Sequence, residues 1–300
     1  MKKYYFNIDK KHKNQRLDKF LGDNIKGFSR SFMNKLIESG EVLVNNEKTK
    51  SSYKINRDDY IEVNIPEKKT IEIKKENLQL DIIYENKDYL IINKKAGMIV
   101  HPSDGNTEGT LVNGLLNLDI NLSDIEGEVR PGIVHRLDKE TTGLIVVCKT
   151  NEMHLNLKNQ LLNKTMDREY LVLVHGRIKA DTGTIEAPIG RNKKDRIKRA
   201  VVYGAREARS DFIVIKRFKN HTFLKVILET GRTHQIRVHM SHIKHPVVGD
   251  EMYGIKNDKI KNLMLHAYKV GFDDLNGERK YFSKPINEKF RNILKSLSRE

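Results

Sequence analysis

The sequence is organised around one stretch. Leu144-Ile145-Val146-Val147-Cys148 is an apolar run rich in β-branched residues, the pattern of a buried strand, so whatever fold the chain adopts must enclose it. The loop that feeds this run packs five ionisable residues, His135, Arg136, Asp138, Lys139 and Glu140, between Gly132 and Gly143. A buried strand holds its preceding loop rigidly, as a catalytic group requires. Asp138 sits among His135, Arg136 and Lys139, whose charges would keep it available as a nucleophile or base. The same charges also suit an ordinary loop salt bridge ahead of a core strand. The local residues alone favour that plainer reading.

Charge narrows the partner. Lys and Arg number 56 against 40 Asp and Glu in 300 residues, a formal net charge of +16. Such an excess points to a polyanion, nucleic acid ahead of an anionic membrane surface. No apolar run approaches the length of a membrane-crossing helix. The basic start is cut by Asp9-Lys10-Lys11 before a secretory apolar core develops. Cys148 is the only cysteine and lies in the predicted strand, so no internal disulfide can form and a reducing cytoplasm is the expected compartment.

Residues 14–62 read as a small basic module. Leu17, Phe20 and Leu21 at i, i+3 and i+4 predict one short helix. Ser29 can cap a second, in which Met33, Leu36 and Ile37 repeat the spacing until Gly40 ends it. Val42-Leu43-Val44, the turn Asn45-Asn46 and the basic residues beyond them predict a hairpin. Lys26, Arg30, Lys35, Lys48, Lys50 and Lys54 decorate these elements. The arrangement resembles an S4-type RNA-binding domain, which implies phosphate contacts to structured RNA, with Arg30 and Lys35 among the cations that make them. Residues 63–78, charged and without period, read as a linker.

From residue 79 to 300 the pattern is that of one larger domain. Leu80–Glu85 and Tyr89–Asn93 predict a hairpin turning at Asn86-Lys87-Asp88. The loop Asp104-Gly105-Asn106-Thr107-Glu108-Gly109-Thr110 lacks the spacing of a phosphate cradle, and Leu111, Leu115 and Leu116 begin a core helix. Met153, Leu157 and Leu161 mark another helix, followed by the strand Tyr170–Val174, which Tyr170 opens. Residues 188–200 hold six cations and read as a surface loop, a second RNA contact. Asp211–Phe218 and Thr222–Glu229 predict adjacent strands, and Phe290 with Leu294 a C-terminal helix. His234, His239 and His242 suggest a metal, but no Glu stands as in His-Glu-x-x-His and no cysteine is near, so no metal site is expected.

Several of these segments share one resemblance. His135-Arg136-Leu137-Asp138 with Thr141-Thr142-Gly143 resembles the catalytic signature of the RluA/RluD-type pseudouridine synthases. Asn93-Lys94 through His101-Pro102, Tyr170 at its strand, and Gly231-Arg232-Thr233-His234-Gln235-Ile236-Arg237 resemble further motifs of that family. So do His245–Asp250 and Leu263–Ala267. The resemblance covers nearly the whole chain. It implies an α+β fold with a mixed, mostly antiparallel central sheet, preceded by the S4-like module.

It also implies roles. Asp138 is the catalytic carboxylate, Arg237 its salt-bridge partner, and Tyr170 lies against the uracil as a candidate for removing the C5 proton. Arg136 enters the space left by the flipped base, beside His135, and Leu265 packs against the target base. Uridine and pseudouridine are isomers, so no cofactor is required, in keeping with a chain lacking a dinucleotide fingerprint or P-loop. The Asp138–Gly143 wording is closest to the RluD-like branch, which implies large-subunit (23S) ribosomal RNA as the partner of a monomeric enzyme that needs no membrane and no nucleotide cofactor. Transfer RNA as substrate stays open. So do a noncatalytic RNA-binding or ribosome-assembly factor, and a glycoside hydrolase pairing Asp138 with Glu140 or Glu229. A charge of +16 suits RNA better than a neutral sugar.

Overall fold

The computed structural model describes residues 2–25, 28–66, 73–103, 105–127, 130–195 and 197–299. The chain divides into two units, residues 1–71 and 72–300. Lys26 and Asp104, named above, and Arg196 of the basic segment 188–200 lie outside the described residues, as does the part of the expected linker from 67 to 72.

In the first unit, strand β1 (Lys2–Asn7) precedes helices α1 (Leu17–Asn24) and α2 (Arg30–Ser39), then β2 (Val42–Val44), β3 (Glu47–Lys48) and β4 (Tyr60–Ile65). Ser29 accepts from the Phe32 amide and so caps α2, while Gly40 closes it in the left-handed region at φ 80°. Asn45 and Asn46 both take positive φ, as a two-residue hairpin turn requires. Leu17, Leu21, Met33 and Ile37 from the helices meet Val42, Ile61 and Val63 from the sheet in a core of their own. The module is larger than 14–62. β1 pairs along its whole length with β4, which itself runs into the stretch expected as linker.

The second unit is built on a nine-stranded sheet. In chain order its elements are β5 (Ile82–Glu85), β6 (Tyr89–Lys94), α3 (Leu111–Asn117), β7 (Thr142–Cys148), α4 (Asn151–Leu162), β8 (Asp167–His175) and β9 (Thr182–Glu186). Then come β10 (Ile189–Arg191), β11 (Arg199–Val201), β12 (Arg209–Arg217), β13 (His221–Leu228), α5 (Gln235–His242), β14 (Leu265–Asp273), β15 (Arg279–Ser283) and α6 (Glu288–Leu297). Strands lie in the order β5-β6-β7-β14-β8-β13-β12-β9, with β15 also on β14. Every pairing is antiparallel except β7 with β14. The sheet is therefore mixed and mostly antiparallel.

β7 is the covered strand its sequence demands. Ile145 and Val147 join the core that takes in Leu111 and Leu115 of α3 and Ile236 and Met240 of α5. Leu144, Val146 and Cys148, on the opposite face by the period-two rule, meet Met153 and Leu157 of α4. At the start of β7, Gly143 holds φ +108°, and a Cβ there would lie 2.2 Å from the Ala267 carbonyl oxygen. Only glycine permits the approach that begins the parallel pairing with β14.

Three expectations need correction. β8 begins at Asp167, so Tyr170 stands inside the strand, opposite Ala267 of β14 and Val226 of β13, and does not open it. The basic segment 188–200 is no plain loop, since Ile189, Gly190 and Arg191 pair with Val201, Ala200 and Arg199. Ile189 is buried with Val238 of α5, which gives this hairpin an apolar foot that its six cations masked. Finally, the far end of the expected linker packs on the second unit, where the Asn113 side chain donates to the Lys74 carbonyl and the Glu76 amide to the Asn113 carbonyl.

Candidate active site

Position along the sheet explains why the site forms where it does. β7 and β14 run parallel side by side, so the loop ahead of β7 and the first residue of β14 arrive at the same edge of the core. Tyr170 on β8 adjoins them through its register with Ala267. An open cleft of about 470 Å³ results, in the range of small-molecule pockets. His135, Arg136, Asp138, Tyr170, Arg237 and Leu265 all line it. Six of the eight site residues expected from the sequence thus share one cavity. Arg30 and Lys35 belong to the first unit.

Asp138 is gripped from a distance in sequence. Nη1 of Arg237, on the first turn of α5, donates to Asp138 Oδ2 at 3.0 Å. The other side of the same guanidinium donates from Nε and Nη2 to both oxygens of Asp250, at 2.7 and 2.9 Å. Asp250 also accepts from the Met252 and Tyr253 amides. Burial works to raise the Asp250 carboxyl, but the hydrogen bonds and charge of Arg237 together with the backbone donors win and hold it below the usual range. Arg237 is itself raised. Burial works against its charge, and the two carboxylates more than compensate.

The residues adjacent to Asp138 in sequence do something else. His135 Nε2 accepts from the Val146 amide at 3.0 Å, and burial, with the charge of Arg168 added, pushes the imidazole down to about 3. It is a neutral brace between loop and strand, with no charge to lend Asp138. Burial also lowers His101, whose Nδ1 lies 3.1 Å from the Pro102 carbonyl. A carbonyl can only accept, so Nδ1 carries the proton and Nε2 accepts from Arg136 Nη1 at 3.4 Å. Arg136 itself stays exposed, tethered at one nitrogen.

Three groups near Asp138 escaped the sequence reading. Lys94, 1% exposed, donates to the carbonyls of Lys95, Met98 and Lys139, each at 2.9 Å. It ties the 95–98 turn to the Asp138 loop, and burial lowers it to about 8. Arg168, 7% exposed, donates Nη2 to the Leu228 and Glu229 carbonyls and leaves its charge along the cleft wall. His234 stands at φ 59° before α5 with Nε2 3.9 Å from Asp138 Oδ1. Its Nδ1 lies 2.9 Å from the Tyr253 hydroxyl. Lys94 and Asp250 lay within segments already quoted for their wording, but a Lys after a strand and an Asp after a Gly look like ordinary surface residues.

His239, by contrast, spends both ring nitrogens on Ser210 and the Ala187 carbonyl. Among the described residues no three His, Cys, Asp or Glu side chains converge as a metal site would require, and no helix is long and apolar enough to cross a membrane. Cys148 is buried, and burial pushes its thiol up to about 12, which leaves it unreactive.

In the first unit, Arg30 and Arg16 both bind Asp18, Arg30 at 2.7 Å and Arg16 at 3.0 Å. Asp18 is buried while both arginines stay half-exposed, so the carboxylate aims two fixed guanidinium groups outward. Burial works to raise Asp18, and the two arginines outweigh it to hold the carboxyl low. Lys35 projects from α2 into solvent.

Comparison with known proteins gives the family. Residues 88–242 match the RNA pseudouridylate synthase family and residues 15–61 the S4 domain. A Bacillus subtilis (strain 168) protein named as an uncharacterized RNA pseudouridine synthase is 44% identical over 287 residues, covering 95% of each chain. A ribosomal large subunit pseudouridine synthase D of Xanthomonas campestris pv. campestris is 37% identical over 298 residues, covering 94% of this chain and 89% of its own. The solved structure of human RNA pseudouridylate synthase domain containing 1 has the same fold at 22% identity, with a TM-score of 0.57 over 74% of this chain and 96% of that one. The chain belongs to the RNA pseudouridine synthase family, with an S4 domain ahead of its synthase domain.

Proposed function

We propose that this synthase isomerises uridines of large-subunit (23S) ribosomal RNA, with Asp138 as its catalytic carboxylate. The observation that carries the reading is the Asp138–Arg237 pair, 3.0 Å long and facing the cleft. Arg237 is locked on its far side by Asp250, so it fixes one oxygen of Asp138 while the cleft leaves the carboxylate within reach of a substrate. The ribosomal assignment follows the names of relatives such as the Xanthomonas and Neisseria meningitidis proteins.

The target uridine leaves its stack, at a cost of a few kcal/mol, to reach this cleft. Arg136, exposed and anchored to His101, is suited to fill the vacated stack with its planar cation. Asp138 bonds to sugar or base, or removes a sugar proton, as the N1–C1′ bond breaks with its electron pair left on N1. The freed uracil turns and C5 bonds to C1′, the aspartyl bond breaks or the sugar proton is returned, the C5 proton leaves, and N1 is protonated. Leu265, 4% exposed, and the Tyr170 ring wall the base. Burial, aided by the charge of Asp138 and opposed by Arg168, raises the Tyr170 hydroxyl, so it is a neutral phenol at pH 7. Tyr170 can therefore take the C5 proton only while passing its own onward. The S4 module contributes Arg30 and Lys35 to phosphate contacts.

The test is incubation of the purified protein with unmodified 23S ribosomal RNA and with transfer RNA, followed by mapping of pseudouridine. Sites in 23S RNA, lost in Asp138→Asn with RNA affinity nearly unchanged, are the expected outcome, because most binding energy comes from cations on phosphates. Turnover by Asp138→Asn would remove Asp138 from the mechanism, and modification of transfer RNA alone would reassign the substrate.

A further inference from the structure

We infer that His234 is a positioning residue for Asp138, held by the Tyr253 hydroxyl in the tautomer whose Nε2–H faces Asp138 Oδ1. The inference rests on Asp138 being the catalytic carboxylate. It starts from hydrogen counting around one hydroxyl. The Arg199 amide donates to the Tyr253 oxygen at 2.7 Å, so that oxygen already accepts. Its own hydrogen must go elsewhere, and His234 Nδ1 lies 2.9 Å away. Tyr253 therefore donates to Nδ1, which must be bare, and the ring proton sits on Nε2. Nε2 is the nitrogen 3.9 Å from Asp138 Oδ1. The opposite tautomer would leave the Tyr253 hydrogen without this acceptor and turn a lone pair toward a carboxylate. Asp138 Oδ2 is then hydrogen-bonded by Arg237, while Oδ1 faces the Nε2–H of His234 across 3.9 Å.

The groups facing His234 keep it neutral. Burial lowers it first, Asp138 and Asp250 work to raise it, and Arg237 and Arg199 oppose them, with a net lowering. Tyr253 is raised, chiefly by burial, and keeps its hydrogen at neutral pH. The backbone fits this purpose. His234 is a non-glycine residue in the left-handed region at φ 59°, and the ring of Tyr253 also lies 5.1 Å from the Arg237 guanidinium carbon. One tyrosine thus touches both Arg237 and His234, the two residues facing the Asp138 carboxylate, and through the Arg199 amide it ties them to β11 of the basic hairpin.

The experiment uses full-length protein labelled with 15N-histidine, and long-range 1H–15N correlation spectra at pH 7.5. His234 is assigned by loss of its signals in His234→Gln or, where that variant does not fold, through bonds from its own backbone. A protonated Nε2 beside a bare Nδ1 supports the inference, and a proton on Nδ1 overturns it. Tyr253→Phe should mix the two tautomers and lower kcat about tenfold while KM for RNA stays within about twofold. Unchanged kcat in a folded Tyr253→Phe protein would overturn the positioning role. An Asp138→Asn protein that still turns over would overturn it too, together with the mechanism above. A wrong tautomer beside an inactive Asp138→Asn protein overturns this inference alone.

Discussion

The ammonium of Lys94 lies 2.9 Å from the carbonyl oxygen of Lys139, the residue that follows Asp138. Two further carbonyls, of Lys95 and Met98, take its other hydrogens, so one buried cation sets the spacing between the end of β6 and the Asp138 loop. Among the described residues no acidic side chain is hydrogen-bonded to it. The carboxylates of Glu140 and Asp138 favour the charge from a distance, but burial outweighs them and dominates its titration.

This predicts a pH signature. Lys94 sits at about 8 in the fold against an ordinary 10.5, so the unfolded chain holds the proton more tightly. The group therefore penalises the fold fully below pH 8, and the penalty fades as pH rises from about 8 to 10.5. Relative to Lys94→Met, the wild-type protein should gain about 2 kcal/mol of stability between pH 7.5 and 9.5 in urea unfolding. Turnover should move the other way. The neutral amine has two hydrogens for three carbonyls, so the loop loosens and kcat falls above pH 8. Parallel stability curves for the two proteins would show that Lys94 does not titrate in this range.

Arg237 carries the second prediction. Its removal strips the partner from Asp250, whose side chain is fully buried, and from Asp138. Arg237→Met should cost about 3–5 kcal/mol at pH 7, the range for breaking a buried pair. Because Asp250 is held low by this arginine, its stabilisation is present above the unfolded value of 3.8 and is lost only as pH falls through its lower folded value. Without the arginine the buried carboxylate is a penalty at neutral pH, so the cost of Arg237→Met should shrink as falling pH protonates Asp250. Asp250→Asn added to Arg237→Met should restore part of the stability but none of the activity. Additive losses in this double-mutant cycle would show the pair to be uncoupled.

How much of this was legible follows from the range of each interaction. β7, the caps at Ser29 and Gly40 and the Asn45-Asn46 turn are local, and period and turn chemistry announce them. Asp138, Arg136, Tyr170 and Arg237 were reached through the wording of motifs, since residue chemistry alone favoured a plain salt bridge at Asp138. The local charge argument for Asp138 was mistaken in its detail. His135 is a neutral brace, and the cation that binds Asp138 comes from 99 residues away. Lys94, His234, Tyr253 and Asp250 take their roles from contacts distant in sequence, with Lys139, Asp138, Arg199 and Arg237, and the motif wording that runs through three of them named no role for any. β1 was missed because its Lys- and Tyr-rich face is largely exposed, leaving little apolar alternation to read.

The last prediction concerns the S4 module. Each unit has its own hydrophobic core, and every residue given a role at the cleft, from Lys94 onward, lies beyond position 71. Removing residues 1–71 should therefore leave a folded synthase that binds ribosomal RNA more weakly and less selectively. The lost cations, Arg30 and Lys35 among them, release counterions on binding. The dependence of log K on log salt should accordingly become shallower by about 0.7–0.9 per phosphate contact removed. Turnover on a short RNA at saturation should stay within about threefold of the full chain, since saturation hides a loss of binding that is uniform between ground and transition states. A truncated protein that is folded by circular dichroism yet inert at saturating RNA would mean that the module completes the active site. An unchanged salt slope would mean that its cations touch no phosphate.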